Sequence, residues 1–279
     1  MIFKIAFWIL SLQTIFKPCP CKTERHSIKP KISFIEKIQL PRCLNESSGL
    51  IVLNDTIYSH NDSGGLPFLY RFSKSGQFYD SVKVNNAKNV DWEEITSDMY
   101  GNIFVGDFGN NYNERRDLCI YKIDTLKNVR KINFSYSNQT EFPPHKRKLK
   151  NFDCEAMLQF QDKLVLFSKA KTSKKEILYL LNPNENSQIL IPWFHFKLHE
   201  RVTSATVISE NVIAILSYGK LIVCKLPDIE NAEPKIKILY CKKLPLVRQS
   251  EAVTYNSGTL YISNEQGDLF RFKVELLPK

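Results

Sequence analysis

Glu93-Glu94-Ile95-Thr96-Ser97-Asp98-Met99-Tyr100-Gly101-Asn102-Ile103-Phe104-Val105-Gly106 contains the unit from which the fold can be read. A polar anchor opens an apolar strand, a tight turn falls at Tyr100-Gly101-Asn102, and a second apolar strand follows. After a polar loop comes a third strand, Cys119-Ile120-Tyr121-Lys122-Ile123. The same order recurs on both sides. Ser48 opens Gly49-Leu50-Ile51-Val52, Glu155 opens Ala156-Met157, Ser204 opens Ala205-Thr206-Val207, and Glu251 opens Ala252-Val253. The five anchors are spaced 45, 62, 49 and 47 residues apart. A repeat of 40–50 residues, built of short β-branched and aromatic strands, is the signature of a β-propeller.

No long stretch of helical period interrupts these strands, so the chain reads as all-β. A fourth strand fits each interval, at 77–84, 131–136, 188–193 and 236–244. The fifth repeat ends near Pro278 without one. The strand at 32–40 is expected to fill that place and close the ring by pairing the two chain ends. Five four-stranded blades account for every segment; a sixth, degenerate blade in the long second interval is the alternative. One propeller domain is expected over residues 23–279.

Three sequence words carry a resemblance: Asn61-Asp62-Ser63-Gly64-Gly65, Asp91-Trp92-Glu93-Glu94-Ile95 and Gly106-Asp107-Phe108-Gly109-Asn110-Asn111. With Asp153-Cys154-Glu155-Ala156-Met157 and Ser250-Glu251-Ala252-Val253, they resemble a family of exported bacterial β-propeller proteins. More remotely, the chain is similar to NHL-repeat, gluconolactonase and esterase-like phytase propellers. The resemblance covers about residues 44–275, by the repeat pattern, and implies a fold more strongly than a chemistry.

Composition bounds the rest. The chain has 279 residues, 43% hydrophobic and 24% charged, which excludes wholesale disorder. Its formal charge of +10 favours anionic partners without selecting one. Residues 1–22 hold an apolar run from Ile5 to Phe16, too short to span a bilayer. It has the proportions of a signal peptide, although Lys17-Pro18-Cys19-Pro20-Cys21 offers a poor cleavage site. An uncleaved N-terminal anchor is the alternative, and export is expected, to the periplasm, the cell surface or the medium. No further transmembrane segment is expected, and the protein is read as a monomer. Cys43, Cys119, Cys154, Cys224 and Cys241 show no zinc spacing. Cys224 and Cys241 lie in successive apolar runs, either facing across a hairpin or buried as separate thiols.

Meander connectivity locates the chemistry. The start of strand one and the loop after strand two share a face of each blade. That brings Ser48, Glu93, Glu155, Ser204 and Glu251 to the channel mouth with Asn61, Asp107, Lys169, Tyr218 and Asn264. Asp62 and Glu265 stand beside them. So many acids around one channel must be neutralised. The expectation is an axial cation, Ca²⁺ or alternatively Mg²⁺, held by some of Glu93, Glu155, Glu251, Asn61, Asp62, Asp107 and Asn264. Against it stands the plainer reading that these groups cap backbone N–H and pair with Lys169 or Arg248. The loop Asp107 to Glu114 is a second oxygen-rich candidate, equally explained as a turn.

His145, Lys146, Arg147, Lys148 and Lys150, with Lys169, Lys171, Lys174 and Lys175, form a basic rim suited to an anionic ligand, or an ordinary solvated charge run. Lys169, Tyr218, Trp92 and Arg147 are the ligand-binding candidates, with blade packing the default for Trp92. His195 and His199 are expected to pack between blades three and four. No aromatics interleave with the lysines, which argues against nucleic acid. No nucleophile elbow or zinc-protease motif is present. Glu155, Asp62 and His60 are the candidates for a catalytic base. The first reading is an exported binding propeller, taking an ion or small anionic ligand at its mouth or an envelope protein at its rim. A Ca²⁺-dependent lactonase- or phosphoesterase-like hydrolase is the alternative, and a purely structural propeller the third.

Overall fold

The computed structural model describes residues 28–169, 176–198, 201–244, 246–247 and 249–278. The segment read as a signal or anchor lies outside them, as do Lys171, Lys174, Lys175, His199 and Arg248. A long strand β1 (Ile28–Gln39) precedes blade one, which comprises β2 (Ser47–Leu53), β3 (Thr56–Asn61), β4 (Phe68–Ser73) and β5 (Phe78–Lys83). Blade two runs through β6 (Trp92–Ser97), β7 (Ile103–Asp107), β8 (Cys119–Ile123) and β9 (Val129–Tyr136). Blade three holds β10 (Cys154–Phe160), β11 (Lys163–Ser168) and β12 (Glu176–Leu181); β13 (Ser187–Leu190) and β14 (Pro192–Phe196) follow. Blade four is β15 (Val202–Ser209), β16 (Val212–Ser217), β17 (Lys220–Lys225) and β18 (Lys237–Lys243). Blade five is β19 (Ser250–Asn256), β20 (Thr259–Asn264) and β21 (Asp268–Pro278).

The innermost strands close a ring, with β2 packed on β6, β6 on β10, β10 on β15, β15 on β19 and β19 on β2. As expected, the N-terminal strand β1 pairs antiparallel with β21 and completes the last blade, starting four residues earlier than the sequence pattern suggests. The expected sixth-blade alternative does not form: the long second interval carries loop and one short 3-10 turn, Arg147–Leu149. The strand expected at 188–193 divides instead. Its first half, β13, leaves its own blade and adds in parallel to the outside of β9, while β14 completes blade three against β12.

Five apolar clusters hold the disc together, one between each pair of neighbouring blades. Blades one and two share Ile51, Trp92 and Val105; blades two and three share Phe104, Phe108 and Leu166. Blades three and four share Phe167, Ile213 and Ile222, blades four and five share Val223 and Phe270, and blades five and one share Leu44 and Tyr261. Burial of such layers is what offsets the chain entropy of an almost helix-free fold. On the far face, two-residue hairpins such as Asn54-Asp55 and Ser257-Gly258 take positive φ at both central residues, which matches the twist of the flanking strands.

Cysteine pairing differs from the hairpin expectation. Cys241 stands opposite Ile222, and Cys224 opposite Ile238, because a register shift at Val223/Cys224 offsets the two. Cys241 is disulfide-bonded, whereas Cys224 is not, and neither are Cys43, Cys119 and Cys154.

Candidate functional site

A common backbone device positions the site. Each innermost strand skips one residue near its start in pairing with the second strand of its blade, namely Ser48, Glu93, Glu155, Thr203 and Glu251, and β15 skips a second, Ile208, near its end. Such bulges turn one side chain out of the ordinary alternation and re-aim it. Four of the five are the expected anchors. In blade four the bulged residue is Thr203 rather than Ser204, a one-residue offset that evens the last two spacings to 48. The residues after the bulges are Gly49, Glu94, Ala156, Ser204 and Ala252: four small ones and a single glutamate. The second strands end at the same level, at Asn61, Asp107 and Asn264, with Lys169 and Tyr218 directly beyond β11 and β16.

Two carboxylate triads form there. Asp62, Asp91 and Glu93 each place one oxygen within 4.8 Å of the others, and so do Glu93, Asp153 and Glu155. Glu93 belongs to both. Its side chain is 7% exposed and accepts no hydrogen bond and no ion pair among the described residues. Of the other members, Asp62, Asp153 and Glu155 have identified side-chain partners, while Asp91 is engaged through its backbone N and O. Asp62 Oδ1 accepts from Ser63 N at 2.6 Å, Asp153 Oδ1 from Asn110 N at 2.8 Å, and Glu155 Oε2 pairs with buried Lys169 Nζ at 2.7 Å. Lys169 also lies 5.6 Å from the centroid of the half-exposed Tyr218 ring, a cation–π contact. Across the mouth, Glu46, Ser48, Asp62, Glu251, Glu265 and Gln266 line a cavity of about 280 Å³.

Burial and mutual repulsion act in one direction on these acids. Burial, then Glu155, holds Glu93 well above the ordinary carboxylate range. Glu155 is held up by burial and Asp153, with Lys169 opposing. Asp91 is pushed up to about 6 by burial and Asp62. Glu251 is pushed up to about 8 by burial, with Glu265 and Asp62 adding and Lys169 opposing. For Lys169, burial alone favours the neutral amine, but Glu155 and its neighbours outweigh that and keep it an ammonium.

Other expected ligands are used by the fold. Asp107 Oδ1 accepts from Arg115 Nη2 at 2.9 Å and from Asp91 N at 3.1 Å. Asn264 turns onto its own hairpin, accepting from Gln266 N and Asp268 N. Asn61 Nδ2 donates to Cys43 O at 2.9 Å, whereas its buried Oδ1, the atom expected to ligate, meets no donor among the described residues. In the loop Asp107 to Glu114, Asn110 Oδ1 accepts from Glu114 N and Arg115 N, and Asn113 Oδ1 accepts from Phe152 N. Backbone capping thus occupies the loop's side-chain oxygens at these positions. His60 is fully buried against Trp92, its ring edge-on at 5.6 Å, and burial lowers its pKa to about 4. Trp92 is itself fully buried, donating from Nε1 to Lys88 O at 2.9 Å, so it packs blades rather than lining the mouth. Arg147 is exposed on the loop ahead of blade three. His195, expected to pack, is exposed on β14.

Three residues of this region escaped the sequence reading. Asp91 and Asp153 each lie two before a bulged glutamate, in the twin words Asp91-Trp92-Glu93 and Asp153-Cys154-Glu155. That repeated D-x-E was the available signal. The third is Glu94, fully buried, whose Oε1 accepts from Ile95 N at 3.0 Å and whose Oε2 accepts from Ser204 Oγ at 2.5 Å and Ala205 N at 3.2 Å. It reaches across the ring from blade two to blade four.

No known protein-family model and no curated protein sequence matches the chain. Among solved structures it is similar to the PQQ-bound aldose sugar dehydrogenase of Streptomyces coelicolor, at 11% identity and TM-score 0.51, over 88% of this chain and 99% of that one. It is similar to a protein described as a gluconolactonase, at 10% identity and TM-score 0.51, over 84% of this chain and 76% of that one. Virginiamycin B lyase from Staphylococcus aureus matches at 11% identity and TM-score 0.41, over 85% and 69%. At such identities the likeness establishes a shared propeller fold, while chemistry has to be argued from the site itself.

Proposed function

We propose that this is an exported binding propeller whose channel mouth holds a hard divalent cation, with Ca²⁺ the best fit. The side chains that would hold it are Asp62, Asp91, Glu93, Asp153 and Glu155, and Lys169 and Tyr218 flank the approach for a small anionic ligand. The observation that carries this reading is Glu93. Burying a carboxylate without a partner is costly unless a proton or a cation neutralises it. In a structural propeller every acid of this ring would be expected to hold a backbone or a side-chain donor, as Glu94 and Asp107 do. Glu93 does not. An all-oxygen set of carboxylates matches Ca²⁺, which tolerates irregular shells and mono- or bidentate carboxylates.

The disulfide at Cys241 supports an oxidising compartment and hence export. No helix among the described residues is long and apolar enough to cross a membrane. A hydrolase would need a base close to the ion. His60 is buried and neutral, and Glu155 is engaged by Lys169, which favours binding over turnover. Turnover of a lactone or phosphoester that Glu155→Gln abolishes would reverse that preference.

The direct test is thermal unfolding with calcium chloride or with chelator. At a calcium concentration about 100-fold above Kd, binding to the folded state adds about 2.7 kcal/mol. For a chain of this length that is a rise in Tm of roughly 5–10 °C. A midpoint that neither calcium nor magnesium moves would sink the proposal.

A further inference from the structure

We infer that the mouth holds two cations rather than one, in adjoining carboxylate triads that share Glu93 as the bridging ligand. This rests on the proposed cation reading and extends it to a binuclear centre. The triads have different addresses: Asp62 and Asp91 stand on the blade-one side of Glu93, Asp153 and Glu155 on the blade-three side. Glu93 carries two oxygens, and no donor among the described residues engages either of them. The remaining ligands divide cleanly between the two groups.

Charge gives the same count. Fully ionised, five carboxylates against the single Lys169 ammonium leave four negative charges, which two divalent cations balance. One divalent cation would leave two negative charges of the triads unbalanced.

Gly109 supplies the third observation. A Cβ there would stand 2.2 Å from Glu93 Oε1 and 2.4 Å from Asp91 Oδ2, closer than real side-chain contacts. Only a residue without a side chain lets these two carboxylates approach one another. Gly109 N also donates to Asp91 O at 3.1 Å, fixing the acid's backbone beside Glu93. A positive φ does not constrain this glycine, so an alanine there would crowd the first triad without removing a ligand or straining the chain.

Equilibrium dialysis of the full chain against radiolabelled calcium reads the stoichiometry, with circular dichroism confirming that each variant is folded. Two ions per wild-type chain are expected, and one in either Asp62→Asn or Asp153→Asn. Glu93→Gln should lower the affinity of both ions by tenfold or more. Gly109→Ala should weaken one ion by a similar factor and leave the other near its wild-type affinity. A wild-type count of one ion, lost equally in Asp62→Asn and Asp153→Asn, would overturn the pair while leaving the single-cation reading intact. A wild-type count of zero would overturn both. Because the wild-type count alone separates these outcomes, a variant that fails to fold does not shelter the inference.

Discussion

Glu93→Gln is expected to stabilise the cation-free protein while removing its response to calcium. In chelator, wild-type Glu93 has no cation and must be buried as a neutral acid. Keeping a carboxyl protonated costs about 1.4 kcal/mol for each pH unit above its ordinary value near 4.3. At pH 7 that amounts to roughly 4 kcal/mol at most, which the neutral amide of glutamine does not incur. Denaturant unfolding at pH 7 in chelator should therefore show the variant as the more stable protein. In saturating calcium the order should invert, because only wild type gains from the ion. A variant less stable than wild type in chelator would mean that Glu93 is already partnered, and the cation argument would lose its foundation.

The same reasoning fixes the sign of the pH dependence. A carboxyl whose folded pKa is raised contributes most below its unfolded value near 4, and the contribution is lost as pH rises to the folded value. For Asp91 the loss is complete above about 6, and for Glu251 above about 8. The surface carboxylates with lowered pKa values, such as Asp80 beside Arg71 and Asp124 beside Asn128, carry the opposite sign. Their window lies below about 4, so they do not mask the effect. Buried His60, its pKa lowered to about 4, carries the opposite sign up to its ordinary value of 6.5, so without cations the thermal midpoint should fall between pH 6.5 and 8, and calcium should flatten that slope. A midpoint rising over that interval in chelator would show that the mouth acids are not held neutral.

How far the sequence alone could reach depends on whether a feature is repeated. The blades were legible because the unit of strand, turn and strand occurs five times, so an ambiguous copy is read from its neighbours. Ring closure by the N-terminal strand followed from a single missing strand. The division of 187–196 into β13 and β14 occurs once, and nothing in the local pattern marks a strand that joins another blade. At the mouth, Glu93 and Glu155 were legible as anchors and Asp62 as a strand-end acid. Asp107 and Asn264 hold the matching strand-end positions, yet an arginine eight residues on and a local hairpin consume them, and the strand pattern marks neither partner. Ser204 stood in for Thr203 because a bulge shifts pairing by one residue without changing composition.

Glu94 shows what the neighbouring carboxylate does when the fold uses it, and its removal is the severest single change expected here. Glu94→Ala takes away the acceptor for Ile95 N, Ala205 N and Ser204 Oγ in the middle of the ring. Each buried donor left without a partner costs about 1–3 kcal/mol, and the vacated volume adds a cavity term. With three donors, the lower end of that range alone gives about 3 kcal/mol or more, enough to endanger folding of a marginally stable domain. Burial holds this carboxyl well above the ordinary range, yet both of its oxygens accept from backbone N–H groups and an amide nitrogen cannot, so Glu94→Gln should cost about 1–3 kcal/mol, less than Glu94→Ala. Ser204 Oγ in turn accepts from Val253 N at 3.0 Å, linking blades two, four and five in one chain of hydrogen bonds. Ser204→Ala combined with Glu94→Ala should therefore cost less than the two single changes together, by 1 kcal/mol or more. Where folded protein is recovered, Glu94→Gln should keep the calcium shift that Glu93→Gln loses. Adjacent glutamates would then separate cleanly, one needed for the ring and the other for the ion. Glu94→Ala within 1 kcal/mol of wild type would refute the structural half of that division, and a Glu94→Gln protein blind to calcium would refute the other.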